Sequence, residues 1–240
     1  MRTSLTMLLV LVGGLAWLPL RAAEFFYMDH DTLTERYVGA VGPLVLSGEI
    51  APGDYDRLLA KIAADQDRFF KLNQLILASE QGDVDEALRI AKLVAQMFSE
   101  VTVGPLTGRC SGACFVIFAA ASERATDGEG LIGVRRQPTV AAFLEQNAVP
   151  AALVKELDAA ATDVYWLTPE DERSLGHRST TFARYLKVRC GWDEAVEREA
   201  YTGARPLSDM SAALACRNRV TRTDGRKALA AALAARSLSH

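Results

Sequence analysis

Residues 110 to 121 read Cys-Ser-Gly-Ala-Cys-Phe-Val-Ile-Phe-Ala-Ala-Ala. This segment is apolar on nearly every side, which predicts a helix that opens at residues 110 to 114 and is buried in the middle of a domain. Residues 74 to 88 read Gln-Leu-Ile-Leu-Ala-Ser-Glu-Gln-Gly-Asp-Val-Asp-Glu-Ala-Leu, a strand, a turn and the start of an amphipathic helix. Together the two segments predict an α/β domain.

Shorter apolar runs extend this pattern along the chain. They predict four strands, at residues 42–50, 72–78, 101–103 and 131–134. One helix is predicted to begin near Asp54, which can serve as its N-cap, and a second is predicted to start at Asp83 or its neighbours. Alternating strands and helices favour crossover connections and a mainly parallel sheet. Residues 24–39 are interpreted as an irregular lead-in, and the chain is predicted to be helical from Val140 onward.

Composition limits the classes of protein that remain. The chain has 240 residues, of which 50% are hydrophobic, so it can bury one sizeable core and is not expected to be disordered. The formal net charge is only −3, and no basic cluster interleaves with aromatic residues. We therefore predict no nucleic-acid partner.

The N-terminus has the layout of an export signal. Arg2 precedes an apolar run from Leu5 to Leu20, which is followed by Arg21-Ala-Ala-Glu24. This order is typical of a secretory signal peptide, although an uncleaved inner-membrane anchor remains an alternative. Either interpretation predicts a periplasmic or secreted protein that contacts the membrane only if this segment is retained. The predicted division is a signal peptide or anchor at 1–23, a main domain at 24–180 and a helical C-terminal extension at 181–240.

Export makes disulfides the first interpretation of the four cysteines. Cys190 and Cys216 lie in the helical C-terminal third and are predicted to pair. Cys110 and Cys114 would be about 6 Å apart between Cα atoms if both were helical, at the edge of what a disulfide tolerates. A local disulfide, buried thiols and a reactive thiol near Arg109 all remain open for this pair.

The three histidines give no metal signal. His30, His177 and His240 do not fall at ligand spacing from one another or from the cysteines. We predict neither a metal nor a cofactor. His177 could fold back towards a site as a base, but it is better explained as lying at a helix end beside Gly176.

Two stretches resemble the ClpP/crotonase-like superfamily. Ser79-Glu-Gln-Gly-Asp-Val84 is similar to its Ser-Pro-Gly-Gly-x-Val turn, with Gly82 at the second glycine. Cys110-Ser-Gly-Ala-Cys114 is similar to the Cys-x-Ser-x-Cys of exported Clp-protease-like members. The resemblance covers about residues 43–136 and, more loosely, 165–172. It implies a spiral of β-β-α units with a mainly parallel sheet and a helical C-terminal extension.

In this family the turn and the helix start hold a developing oxyanion with backbone N–H groups. The resemblance assigns that role to Gly82, Gly112 and Ala113. Aligned on the two cysteines, the family's nucleophilic serine falls on Gly112, and Ser111 stands one residue too early. One helical step turns a side chain by about 100°, so Ser111 is expected to point elsewhere unless the register shifts.

A second departure concerns the general base. The family's strand reads Ile-Gly-x-His, whereas this chain reads Ile132-Gly-Val-Arg135. Arginine stays protonated and has no lone pair to accept a proton. Arg135 with Arg136 could instead bind a carboxylate or phosphate, or could be a solvated pair at a strand end.

These departures predict an exported ClpP/crotonase-like protein that has lost serine-hydrolase activity. It would act by binding an unidentified protein or a small anionic ligand. The alternative is a residual hydrolase or acyl-transfer enzyme that uses the oxyanion cradle, with Ser111 or Cys110 as a displaced nucleophile. A thiol role for Cys110 and Cys114 is a third hypothesis. Members of this superfamily assemble through their helical extensions, so a homo-oligomer remains open.

Overall fold

The computed structural model describes residues 22–28, 42–104, 108–129, 131–135, 141–147, 149–159, 164–202 and 207–238. Most of the predicted signal segment lies outside the described residues, as do Arg136, His30 and His240. Within the described part of the chain, none of the helices is both long and apolar enough to cross a membrane.

The described residues form eight strands and ten helices. The strands are β1 (Glu24–Tyr27), β2 (Leu44–Ser47), β3 (Gln74–Ala78), β4 (Glu100–Val103), β5 (Cys110–Ser111), β6 (Glu123–Thr126), β7 (Ile132–Val134) and β8 (Tyr165–Trp166). The helices are α1 (Asp54–Ala64), α2 (Gln66–Leu72), α3 (Val84–Gln96), α4 (Ala113–Ala120), α5 (Ala141–Gln146), α6 (Ala151–Ala159), α7 (Pro169–Leu175), α8 (Thr180–Cys190), α9 (Glu194–Tyr201) and α10 (Leu207–Ser237).

The main sheet has the strand order β1-β2-β3-β4-β6. Strands β2, β3, β4 and β6 pair in parallel, and β1 pairs with β2 in the antiparallel sense. A second, small sheet has the order β5-β7-β8. The predicted α/β fold with a mainly parallel sheet is confirmed, and the 31-residue α10 forms the helical C-terminal region.

Helix α4 lies in the centre of the core. All eight of its residues are buried, so no polar face is needed and none is present. The prediction of a buried helix here is confirmed, although the helix begins at Ala113 and not at residue 110. The difference arises because Cys110 and Ser111 pair with Ile132 and Gly133 of β7, which makes them a strand.

Four elements differ from the sequence prediction. Residues 24–27 form strand β1 and not an irregular lead-in, β8 interrupts the predicted helical region, and neither α2 nor β6 was predicted. Strands β1 and β6 lie at the two edges of the main sheet. Strand β6 reads Glu-Arg-Ala-Thr, and in β1 the side chains of Glu24 and Phe26 are exposed. Such edge strands lack the apolar run that identifies a buried parallel strand.

Asp54 does not cap α1, contrary to the prediction. Gly53 is the N-cap, and Asp54 is the first helical residue. The Asp54 carboxylate is buried and accepts hydrogen bonds from the backbone N–H groups of Ala51 (2.8 Å) and Ala23 (3.3 Å). Asp54 therefore ties the segment before β1 to the start of α1. The predicted start of a helix at Asp83 is confirmed: Asp83 is the N-cap of α3, and its side chain accepts from the Glu86 N–H at 2.7 Å.

A buried ion network joins the C-terminal helices to the edge of the sheet. The Arg178 side chain is 5% exposed and lies 2.9 Å from the Glu123 carboxylate of β6 and 3.1 Å from that of Glu197 in α9. Arg217 of α10 also pairs with Glu123. Because Glu123 has two arginine partners, its buried charge is compensated.

Arg124 binds backbone carbonyls at the C-terminal ends of two helices. Its guanidinium donates to the backbone carbonyl of Ala119 at the end of α4 (2.7 Å). It also donates to the carbonyls of Leu175 (3.1 Å) and Gly176 (3.0 Å) at the end of α7. Helix C-termini carry partial negative charge, which offsets the buried cation. Burial lowers the pKa of Arg124 to about 10, so the side chain stays charged at neutral pH.

Both cysteine pairs are disulfides, and the described residues contain no free cysteine. The predicted Cys190–Cys216 bond joins α8 to α10 across a separation of 26 residues. The bond between Cys110 and Cys114 settles the alternatives left open for that pair. Two disulfides are typical of a protein in an oxidising, non-cytoplasmic compartment.

Replacing both Cys190 and Cys216 by alanine should lower the free energy of unfolding by about 3 kcal/mol, because the bond restricts the unfolded chain. Urea denaturation without reductant measures this loss. Val188→Ala is the control on the same helix, since Val188 is 79% exposed; it should change stability by less than about 0.5 kcal/mol. Equal stability of the double variant and the wild type would contradict the prediction.

Candidate functional site

The candidate site is a sharp turn between strand β5 and helix α4. Gly112 forms this turn with φ 60° and ψ −119°, and it is the N-cap residue of α4. Hydrolases of the α/β-hydrolase fold carry their nucleophile on a strained strand–turn–helix elbow of this kind. We call residues 110–113 the elbow. Its central position is occupied by a residue without a side chain.

Ser111 is buried beside the elbow's turn, with a relative exposure of 1%. Its hydroxyl donates a hydrogen bond to the Glu80 carbonyl at 2.8 Å, and its N–H donates to the Ser79 carbonyl at 3.0 Å. These two bonds join the elbow to the turn at residues 79–83. The two segments singled out from the sequence therefore adjoin, and Ser111 is the residue that connects them.

Gly82 lies in this turn because the backbone passes very close to Ile50. A Cβ at position 82 would be 2.6 Å from both the Cβ and the carbonyl oxygen of Ile50, and φ of Gly82 is 147°. The Asp83 N–H donates to the same Ile50 carbonyl at 2.7 Å. Within the described residues, we find no hydrogen bond from the N–H of Gly82 or of Ala113.

The Cys110–Cys114 disulfide spans the elbow. Both residues are fully buried, and their Cα atoms are 5.3 Å apart. A thiolate is the reactive form of cysteine, and a disulfide sulfur is not one. The hypotheses of a reactive thiol at this pair and of Cys110 as a displaced nucleophile are therefore wrong for this state of the chain.

Gly133 faces the elbow from strand β7. It is in register with Ser111, and a Cβ on Gly133 would lie 2.8 Å from the Ser111 Cβ and 2.3 Å from a methyl group of Val164. No role was predicted for Gly133. Its only signal was a small residue between two β-branched neighbours, which marks a close approach within a strand.

Arg135 follows the last residue of β7 and is exposed. Arg109, before β5, stacks its guanidinium over the Trp166 ring of β8 at 4.6 Å from the centroid. Arg109, the cation beside Cys110 in the sequence, is therefore held by an aromatic ring.

His177 does not lie at the elbow. It follows Gly176, the C-cap of α7, and its carbonyl accepts from the Arg124 N–H of β6 at 2.7 Å. The exposed imidazole lines a cavity at the β6 edge together with Phe118 and Thr126. This placement agrees with the helix-end interpretation of His177 and gives no support to a role as a base.

Asp171, an acidic residue near the predicted site, has a local structural role. It forms a capping box with Thr168 at the start of α7 and accepts from the Tyr165 hydroxyl at 2.9 Å. The hydrogen bond from the Thr168 N–H is the main reason that the pKa of Asp171 lies below its usual value.

No family model matches the sequence, and no curated protein matches it. Among solved structures, the chain is similar to a membrane protease specific for a stomatin homolog from Pyrococcus horikoshii, with 20% identity, a TM-score of 0.41 and coverage of 61% of this chain and 77% of that one. It is also similar to a methylmalonyl-CoA decarboxylase, with 10% identity, a TM-score of 0.40 and coverage of 86% and 82%.

A third similar structure is a protein from Bordetella parapertussis described as an enoyl-CoA hydratase/isomerase. Its identity to this chain is 15%, the TM-score is 0.37, and the match covers 88% of this chain and 98% of that one. At this level of similarity we carry over no activity and no residue role.

Gly112→Ala should lower the free energy of unfolding by about 2 to 3 kcal/mol, because a Cβ is strained at these dihedral angles. Gly191→Ala is the control: Gly191 has φ 64° and ψ 17°, and nothing lies within 4 Å of an added Cβ. It should cost only about 1 kcal/mol. Chemical denaturation compares the two variants, and an equal or smaller loss for Gly112→Ala would count against the strained turn.

Gly133→Ala should destabilise the protein by about 1 to 3 kcal/mol, because the added methyl group overlaps both Val164 and Ser111. Val164→Ala removes the nearer of these atoms and should recover part of the loss in a double-mutant cycle. Additive effects of the two substitutions would show that an added methyl group at position 133 does not overlap Val164.

Proposed function

We propose that this chain is an exported ClpP/crotonase-like protein without serine-hydrolase activity, and that it acts by binding. The observation that carries this proposal is Gly112 at the centre of the elbow. A nucleophile at this place needs a hydroxyl or thiol at the turn between strand and helix. Glycine supplies neither.

Neighbouring side chains do not replace the missing nucleophile. The Ser111 hydroxyl is buried and already donates to the Glu80 carbonyl, and the Cys110 sulfur is bonded to Cys114. A serine nucleophile also needs a base within hydrogen-bond reach. Arg135, at the position the family resemblance gives to that base, cannot accept a proton.

The ligand that fits this site best carries an anionic oxygen. The N–H groups of Gly82 and Ala113 have no acceptor within the described residues, and Arg135 adds an exposed positive charge. Backbone N–H groups and arginine both favour a carboxylate or a phosphate. A small anion or an acidic side chain of a partner protein would supply that oxygen.

Export is the second part of the proposal. It is supported by the order of basic, apolar and small residues at the N-terminus and by the two disulfides. Both features are expected of a chain that folds outside the cytoplasm.

A residual acyl-transfer enzyme is the second candidate function. The uncommitted N–H groups of Gly82 and Ala113 favour it, because an oxyanion cradle can stabilise an enolate or thioester oxygen without a serine. This candidate requires turnover of a thioester or activated ester by the purified protein.

The proposal is tested with a fluorophosphonate probe, which modifies activated serines. Intact-mass spectrometry should find no adduct on the wild-type protein, because Ser111 is neither exposed nor paired with a base. Ser111→Ala is the matched control and should give the same spectrum. A stoichiometric adduct that disappears in Ser111→Ala would refute the proposal, and turnover of an acyl thioester by both proteins would favour the second candidate.

A further inference from the structure

Trp192 carries a buried donor that has no acceptor. It packs against Phe182 and Leu186 in a small second core, and its relative exposure is 3%. The indole Nε1–H has no hydrogen-bond partner among the described residues. Buried donors are satisfied in the great majority of cases, so an unsatisfied one calls for an explanation.

A cavity of about 400 Å³ borders this tryptophan, between helix α8 and the start of α9. Its lining surface is largely apolar and is formed in part by Trp192, Ala183, Ala195, Arg184 and Lys187. A cavity of this size and polarity suits a small organic molecule.

The charged groups around the cavity differ in whether they are already paired. Arg178 is bound to Glu123 and Glu197, and Lys187 lies 3.2 Å from Asp193. No ion pair of Arg184 is found in the described part of the chain. The cavity therefore offers one guanidinium whose charge is not yet matched.

Two acidic residues also border the cavity, and they restrict the charge that it accepts. Asp193 uses its second carboxylate oxygen to cap α9, accepting from the N–H groups of Ala195 and Val196 at 3.1 Å each. Glu194 is exposed on the first turn of the same helix. These carboxylates would repel a dianion, so a single negative charge fits the site better.

We propose that this cavity binds a monocarboxylate attached to a small apolar or aromatic body. One carboxylate oxygen accepts from the Trp192 indole N–H, and Arg184 donates to the other. The apolar body lies against Ala183 and Ala195. The indole nitrogen is shielded in the unbound chain, so Arg184 and Lys187 at the outer wall must change rotamer on entry, which exposed side chains do within nanoseconds.

This site shares no residue with the elbow. It is built from α8, α9 and the turn between them, so its ligand is independent of the function proposed for the elbow. Failure of either proposal leaves the other standing.

The probes are benzoate, benzamide and benzylamine, which share one ring and differ in charge. Isothermal titration calorimetry on the full folded chain should show binding of benzoate and at least about tenfold weaker binding of the other two, since each lacks the carboxylate. The indole N–H resonance of Trp192, assigned by its loss in Trp192→Phe, should move downfield as benzoate is added.

Two substitutions test the contacts without disturbing the fold. Trp192→Phe keeps the ring in the core and removes the donor, and should weaken benzoate binding roughly tenfold. Arg184→Gln should weaken it about fivefold. Arg189→Gln, on the same helix but outside the cavity, is the control and should leave the affinity unchanged.

The proposal is wrong if benzamide or benzylamine binds as tightly as benzoate. It is also wrong if Trp192→Phe and Arg184→Gln bind benzoate like the wild type, or if the Trp192 resonance does not respond. A resonance that is already downfield and insensitive to benzoate would show that water satisfies the indole and that no ligand is needed.

Discussion

The contact between the Ser111 hydroxyl and the Glu80 carbonyl is the constraint on which the candidate site depends. This 2.8 Å hydrogen bond fixes the end of β5 against the turn that follows β3. Since Ser111 is held there, the chain must reverse within one residue to enter α4, and only Gly112 adopts the required angles without strain. Because Gly133 has no side chain, it leaves room for the buried side chain of Ser111.

The elbow places a residue without a side chain at the turn between a strand and a buried helix. A reactive serine at such a turn carries backbone strain that the surrounding fold must offset. Glycine at position 112 relieves that strain, and the Cys110–Cys114 disulfide holds the turn in place. The N–H groups of Gly82 and Ala113 have no acceptor among the described residues, and we propose that they can bind an anionic oxygen.

The sequence predicted those elements whose signal is local. The buried helix α4 and the start of α3 at Asp83 each follow from neighbouring residues alone. Strands β1, β6 and β8 were not predicted, because short or polar edge strands resemble loops in sequence. The Cys110–Cys114 bond could not be decided either, since the answer depends on whether residue 110 is helical or extended. The need for glycine at position 133 becomes clear only from the fold, because the residues that leave no room for a Cβ there are Val164 and Ser111.

The C-terminal helices are fixed to the edge of the sheet by the ion pairs around Glu123, and a disulfide joins two of these helices, α8 and α10, to each other. Our central proposal is that the elbow could present a nucleophile and that Gly112 and Arg135 are the reason why it does not. The most direct measurement is fluorophosphonate labelling of the folded double variant Gly112→Ser/Arg135→His, followed by mass spectrometry. The account predicts a covalent adduct at position 112 that is absent from the wild type. A stable, folded double variant that remains unlabelled would contradict it.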